Sequence, residues 1–430
     1  MRKNTIYAMN YLDRIADEMV LRKLRSSAAV LIEGPKWCGK TSTGFKAAKS
    51  ALFLQDPDRR AVYKQMADSQ PSLLLQGETP RLLDEWQTIP VLWDAVRFAA
   101  DQRQEMGQFI LTGSATPLDD SAEIEHTGLG RIARLRMRPM SLWESKDSAG
   151  QVSLREMFEG GVEIGMCENP LSIERLAYVM CRGGWPGSLR LKHKESLDVA
   201  YNYVDELINV DVNRVDDSEK NPDRVRSVLR SYARNISTMT SASTIMGDVK
   251  ANDITITDKT LSNYLTALRR LFVVEDVKAW QPSLRSKTAI RTSDKRHLTD
   301  PSIAIAVLEL TPKSLLEDFN LFGFLFEDLC VRDMRAYLEP LRGSVFHYHD
   351  TSELEADMIL RLNDGRWAAV EVKTGSKETE LAAANLLKLK ERVDTSKVGE
   401  PSFLMVITGS QFAYRRSDGV YVVPLGCLRP

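Results

Sequence analysis

Residues 33–42 read Glu-Gly-Pro-Lys-Trp-Cys-Gly-Lys-Thr-Ser, and Gly34 through Thr41 satisfy the spacing G-x-x-x-x-G-K-[ST] at each defined position. The flanks decide how to read the stretch. AAVLI (28–32) is a short apolar run with the character of a buried strand, and TSTGFKAAKSA (41–51) opens a helical pattern. Strand, glycine loop and helix follow one another in the order that a phosphate-binding loop requires. The glycines let the backbone curl around phosphate oxygens, and the helix start adds its positive dipole end. The expected nucleotide cradle is therefore Gly34, Pro35, Lys36, Trp37, Cys38, Gly39, Lys40, Thr41 and Ser42. Within it, Lys40 reaches for the β- and γ-phosphates and the Thr41 hydroxyl for Mg²⁺.

Such a loop calls for a second strand that ends in an acid. RLLDEW (81–86) supplies it, with Leu82 and Leu83 entering a core before Asp84 and Glu85. Asp84 is expected to hold Mg²⁺, and Glu85 to polarise an attacking water. Paired acids suit water activation better than transfer to a hydroxyl, so hydrolysis of ATP is favoured over a nucleotide kinase. FILTGSA (109–115) reads as a further strand that carries Thr112 or Ser114 toward the γ-phosphate as a polar sensor. ALFLQ (51–55) adds a strand between the glycine loop and the acids.

The run GLGRIARLRMRPMSLWE (128–144) resembles the segment that closes the ATPase core in a large family of predicted prokaryotic AAA+ ATPases. CRGGWPGSL (181–189), HLTDPSIAIAVL (297–308) and GFLFEDLCVRDMRAY (323–337) also resemble recurring stretches of that family, so the resemblance spans nearly the whole chain. It implies an AAA+ ATP-binding fold followed by a C-terminal domain of unknown function, and it supplies no substrate. Arg131 is the candidate arginine finger, reaching the γ-phosphate of a neighbouring subunit in a homo-oligomer or a conditional self-association. A plain surface arginine, in company with Arg134, Arg136 and Arg138, is the other reading of that position.

The 430 residues suffice for about three domains. Lys and Arg number 58 against 59 Asp and Glu, so any nucleic-acid surface has to be local. Five scattered cysteines form no CxxC pair, which points away from a zinc site or a disulfide framework. No apolar run has signal-peptide or membrane-span length, and a cytoplasmic protein is expected. In the middle, RVRSVLRSYARN (224–235) spaces Arg226, Arg230 and Arg234 along one helical face. SASTIMGDV (241–249) and TDKTLSNYLTALRRLFVVEDVKAW (257–280) continue as helix, helix and short strand. That order suits a winged helix-turn-helix over about 224–297, with LRSKTAIRTSDKRH (284–297) as a basic wing on DNA. A packing module whose charges face water is the alternative.

From 322 the expected order is helix (322–340), strands at 345–350, 356–362 and 366–373, helix (379–393) and strand (402–407). This order, with Asp357 and Glu371-x-Lys373, resembles the PD-(D/E)xK nuclease fold; Glu327 matches the acid that the family often adds from its first helix. The Pro-Asp opening is absent, since Ala356 precedes Asp357. The resemblance implies that Asp357, Glu371 and Glu327 hold a metal while Lys373 orients water or stabilises charge. Asp357 stands opposite Glu371 only if Asn363-Asp364-Gly365 is a three-residue loop that pairs 362 with 366. Met358, Leu360 and Leu362 then share a buried side with Val370 and Val372.

The expected architecture is α/β: a P-loop AAA+ ATPase core (1–145), a helical and winged-helix region (146–315) and a nuclease-like α/β domain (316–430). The leading function is Mg²⁺-dependent ATP hydrolysis coupled to DNA binding or metal-dependent DNA cleavage. A regulatory switch or scaffold with an inactive nuclease-like domain is the alternative, and nucleotide binding without turnover a third.

Overall fold

The computed structural model describes residues 11–114, 130–160, 164–165, 167–214, 220–251, 255–285 and 288–430. They divide into two compact units that meet in sequence between Pro139 and Met140, apart from short segments near 213 and 270 that belong with the first.

In the first unit, α1 (Ile15–Leu24), β1 (Ala29–Glu33), α2 (Lys40–Ala47), β2 (Ser50–Phe53), α3 (Arg60–Ser69), β3 (Arg81–Asp84), α4 (Val91–Arg103), β4 (Phe109–Gly113) and β5 (Ile132–Arg136) follow in order. The strands form one parallel sheet in the order β2-β3-β4-β1-β5. Both faces are covered, which is why the strands read as continuous apolar runs. Period-2 alternation divides their side chains. Leu31, Leu83, Phe109 and Leu111 join Trp93 and Val96 of α4, while Val30, Ile32, Leu82 and Ile110 join Met19 and Val20 of α1. The glycine loop between β1 and α2 is wedged tightly at its start. A Cβ on Gly34, whose φ is +153°, would lie 2.0 Å from the Met137 carbonyl oxygen.

The second unit contains β6 (Val152–Ser153), α5 (Leu154–Glu159), β7 (Cys167–Glu168), α6 (Ile173–Arg182), α7 (Glu195–Glu206), α8 (Pro222–Arg234), α9 (Ala242–Lys250), α10 (Asp258–Arg270), β8 (Lys278–Ala279), α11 (Pro301–Val307), α12 (Pro312–Glu317) and α13 (Phe319–Leu338). Then come β9 (Gly343–His349), β10 (Glu355–Leu362), β11 (Trp367–Lys373), α14 (Thr379–Arg392), β12 (Leu404–Thr408), β13 (Phe412–Arg415), β14 (Tyr421–Pro424) and β15 (Leu428–Arg429). Eight strands make a mixed sheet ordered β7-β13-β14-β12-β11-β10-β9-β8. The β10–β11 hairpin has the three-residue loop: Leu362 N–H donates to Arg366 O at 2.8 Å, and Gly365 closes the turn at φ +95°. Burial differs from the expectation of one covered side. Met358, Leu360, Leu362, Val370 and Val372 are buried, but Ile359, Trp367 and Ala369 are too, packed with Ala382, Leu386 and Leu389 of α14.

The segment read as a basic wing pairs with its own unit. Val274 and Val277 bridge antiparallel to Leu298 and Lys295, β8 joins the edge of the large sheet beside β9, and Arg291 N–H donates to His349 O. The basic segment is thus built into the C-terminal sheet, and its charges have partners there: Arg285 on Thr395, Arg291 on Glu353, Arg296 on Asp276. Lys287 lies outside the described residues. On α8, Arg226 and Arg234 pair with Asp205 and Asp248. These arginines have carboxylates of their own protein to answer first.

Four of the motif stretches converge on one buried network around α13. Arg332 donates to Asp300 at 2.9 Å and to Asp333 at 2.7 Å, and all three are at most 2% exposed. Asp300 accepts from Gly184 N–H and caps α11 through Ser302 N–H; Asp333 accepts from Leu142 N–H. Asp328 accepts from Leu298 N–H and pairs with His297 Nδ1 at 2.8 Å. This network fixes the helix that carries Glu327.

Candidate functional site

Two clusters stand out, one in each unit. In the first, Lys40 begins α2 and is 5% exposed. Its ammonium donates to Gly34 O at 2.9 Å and Pro35 O at 2.8 Å, so the loop's own carbonyls hold it at the phosphate position. Asp84 ends β3, with Thr41 beside it. Thr112, fully buried on β4, ties both acids: its hydroxyl donates to Asp84 Oδ1 at 2.7 Å and accepts from Glu85 N–H at 3.1 Å. Burial pushes the Asp84 carboxyl above its usual value, against the hydrogen bond from Thr112 and the nearby Thr41 hydroxyl.

Glu85 itself sits at φ +54°, a left-handed conformation that non-glycine residues adopt at a cost. That twist turns its carboxylate to Ser114, whose hydroxyl donates at 3.2 Å, and to the Gln87 amide. Both Thr112 and Ser114 therefore contact the acid pair. Gln87 escaped notice in the sequence, because an amide two residues past an acid carries no periodic signal. Arg131 is elsewhere. Its carbonyl accepts from Ala29 N–H, at the end of the sheet away from the glycine loop, and its guanidinium lies 2.7 Å from Asp101.

The second cluster lies where β10, β11 and α13 meet. Asp357 occupies a bulge: the β9–β10 register shifts between Ala356 and Ile359, so Asp357 and Met358 together face His347. One step beyond the Met358–Val370 pair, Asp357 comes opposite Glu371, and its Oδ2 accepts from Val372 N–H at 2.8 Å. The Lys373 ammonium is 2.9 Å from Glu371 Oε2 and 3.8 Å from Asp357 Oδ2. Lys295, from the segment read as a wing, lies 2.5 Å from Glu327 Oε1 and 3.0 Å from Asp357 Oδ1. Acidic and basic side chains thus alternate along Glu327, Lys295, Asp357, Lys373 and Glu371. Burial raises each carboxyl, yet Lys295, Lys373 and the Val372 N–H hold Asp357 down at about 2. Glu327, for which burial and Asp357 outweigh Lys295, rises to about 8, and Glu371 rises for the same first two reasons. A cleft of about 450 Å³ opens on the cluster, lined by Lys295, Glu327, Asp357 and Lys373, with Phe319 and Asn320 among its other walls. Among the described residues, no group of three or more His, Cys, Asp or Glu side chains is arranged to hold a metal.

The profile of the AAA domain family matches residues 26–146, which contain the first cluster. The chain carries an AAA-type P-loop ATPase domain. After this ATPase domain, two domains of unknown function match, DUF8612 over 173–314 and DUF4143 over 322–428, the latter containing Glu327, Asp357, Glu371 and Lys373. An uncharacterized protein of Mycobacterium tuberculosis is 23% identical over 366 residues, 84% of this chain and 74% of that protein. Among solved structures, the Walker-type ATPase PABY2304 of Pyrococcus abyssi is similar at 15% identity and a TM-score of 0.44, covering 70% of this chain and 96% of that one. AMPPCP-bound DnaA from Aquifex aeolicus has 15% identity and a TM-score of 0.28 over 59% and 86%. No helix among the described residues is long and apolar enough to cross a membrane.

Proposed function

We propose that the ATPase domain hydrolyses ATP with Mg²⁺ and that this cycle is coupled to DNA held at the C-terminal cleft, where Asp357, Glu371 and Lys373 are placed for cleavage. The Thr112 hydroxyl carries the first half, since it binds both Asp84 and the Glu85 backbone and so sets the two acids at fixed places beside the glycine loop. Thr41 and Asp84 are neighbouring oxygen donors, a pair that fits Mg²⁺. Glu85 is then the base for water, and Lys40 exchanges loop carbonyls for phosphate oxygens.

Arg131 acts on a neighbouring subunit or not at all. A five-residue strand of about 13 Å separates it from its own glycine loop. Hydrolysis should therefore rise with protein concentration, and mixing Arg131→Ala with Lys40→Ala subunits should restore part of the rate. Full activity in a strictly monomeric preparation would remove Arg131 from this role.

At the second cluster, the donor set is again oxygen, and Glu371 Oε1 is buried without a hydrogen-bond partner. Asp357 and Glu371, with Glu327, are the residues that would hold Mg²⁺ once the lysines between them give way, since as they stand they are not arranged around one ion. A metal held there would supply a water of lowered pKa beside a phosphodiester. Lys373, the most accessible member, orients that water or meets the charge that develops on phosphate. Phe319, 58% exposed on the cleft wall, offers a face on which an unpaired base can stack. One observation favours the second reading, an ATP-dependent switch that binds without cutting: Lys295 and Lys373 already neutralise the acids. The deciding experiment incubates several DNA forms with Mg²⁺ or Mn²⁺, with and without ATP. Cleavage that Asp357→Ala abolishes supports the first reading. If no DNA form is cut with any divalent ion, the switch takes its place.

A further inference from the structure

We propose that Lys295 is a built-in counter-ion whose ammonium stands where a divalent cation would sit between Glu327 and Asp357, and that its arm must lift before these carboxylates accept a metal. The inference rests on the reading of Asp357 and Glu371 as a metal-type site, and it concerns what controls that site. A cation bound by carboxylates lies about 2.0–2.6 Å from each oxygen. The Lys295 nitrogen, at 2.5 and 3.0 Å from one oxygen of each acid, takes the same place, so the two cannot be present together. Like charges at such a distance, away from water, repel strongly.

The arm is what makes Lys295 more than an ion pair within a core. It reaches the acids from a segment outside β9–β11 and α13, held by backbone bonds in both directions between Lys295 and Val277, at 2.8 and 2.9 Å. It is pinned to the sheet edge by β8 on β9, by His347 Nε2 on Ser293 O at 2.9 Å, and by the bridge of Ile290 to Asp350. Edge contacts of this kind can part without dismantling the α13 network. His297, two residues on, presents its Nε2 3.9 Å from Glu327, but Asp328 holds its other nitrogen, so it does not replace Lys295.

With Lys295 removed, three carboxylates face one lysine, and a divalent ion restores neutrality. The test measures Mn²⁺ uptake by nucleotide-free, full-length protein using electron paramagnetic resonance, together with melting with and without Mn²⁺. Wild type should take up no Mn²⁺ that Asp357→Asn removes. Lys295→Met and Lys295→Gln should each bind one Mn²⁺ per chain, lose it when Asp357→Asn is added, and melt higher with Mn²⁺ than without. A variant that folds only with Mn²⁺ supports the inference equally. Mn²⁺ uptake by wild type that depends on Asp357 overturns it, as do both variants folded and metal-free, or both unfolded in either condition. No DNA is present, so the result is separate from the cleavage assay: metal uptake without cleavage leaves the counter-ion standing and removes the nuclease.

Discussion

Lys40→Ala is expected to abolish tight ATP binding, while Glu85→Gln keeps the nucleotide and stops its hydrolysis. Lys40 is nearly buried, and two loop carbonyls hold its charge at the phosphate position before any ligand arrives. Each charge-assisted hydrogen bond to phosphate is worth about 1.5–3 kcal/mol, so losing two weakens binding by about a hundredfold or more. Glu85→Gln preserves shape and leaves Asp84 and Thr41 for the metal, but an amide cannot take a proton from water. A loss of general-base catalysis costs about 10²–10⁴ in rate. Fluorescent-nucleotide titration and phosphate release read the two effects separately. Equal hydrolysis by wild type and Glu85→Gln would return the role to Asp84 or to water held by Ser114.

What the sequence made legible was carried by local order. The glycine loop declares itself between a strand and a helix, and the Asp-Glu pair follows an apolar strand at a distance that leaves room for β2. The β10–β11 register could be reasoned out because loop length and side-chain alternation are both written in seventeen consecutive residues, 357 to 373. The rest depended on residues far apart. Lys295 meets Asp357 across 62 positions, and no periodicity in a segment rich in Lys and Arg distinguishes the one that turns inward. The bulge at Asp357 left no mark either, since it shifts register without changing composition. Burial on both faces did leave one: the apolar runs MIL (358–360) and WAAV (367–370) lack the alternation of a strand covered on one side only.

The largest stability effect is expected at Arg332. Its guanidinium is the only positive charge in contact with Asp300 and Asp333 that the described hydrogen bonds and ion pairs contain, and all three side chains are closed to water. Arg332→Met keeps much of the volume and leaves two buried carboxylates facing each other's charge. Breaking a buried ion pair from one side costs about 3–5 kcal/mol, because the partner remains as an uncompensated charge. The double variant Arg332→Met/Asp333→Asn should recover part of that loss by removing one of the stranded charges. The damage should also be local in kind. Asp300 accepts from Gly184 N–H and Asp333 from Leu142 N–H, so these amides should lose hydrogen-exchange protection first. α13 would then lose its seat, and Glu327 its position against Lys295. An Arg332→Met protein that melts with wild type and keeps both amides protected would show that packing alone seats the helix. The motif stretches that meet there would then need another reason for doing so.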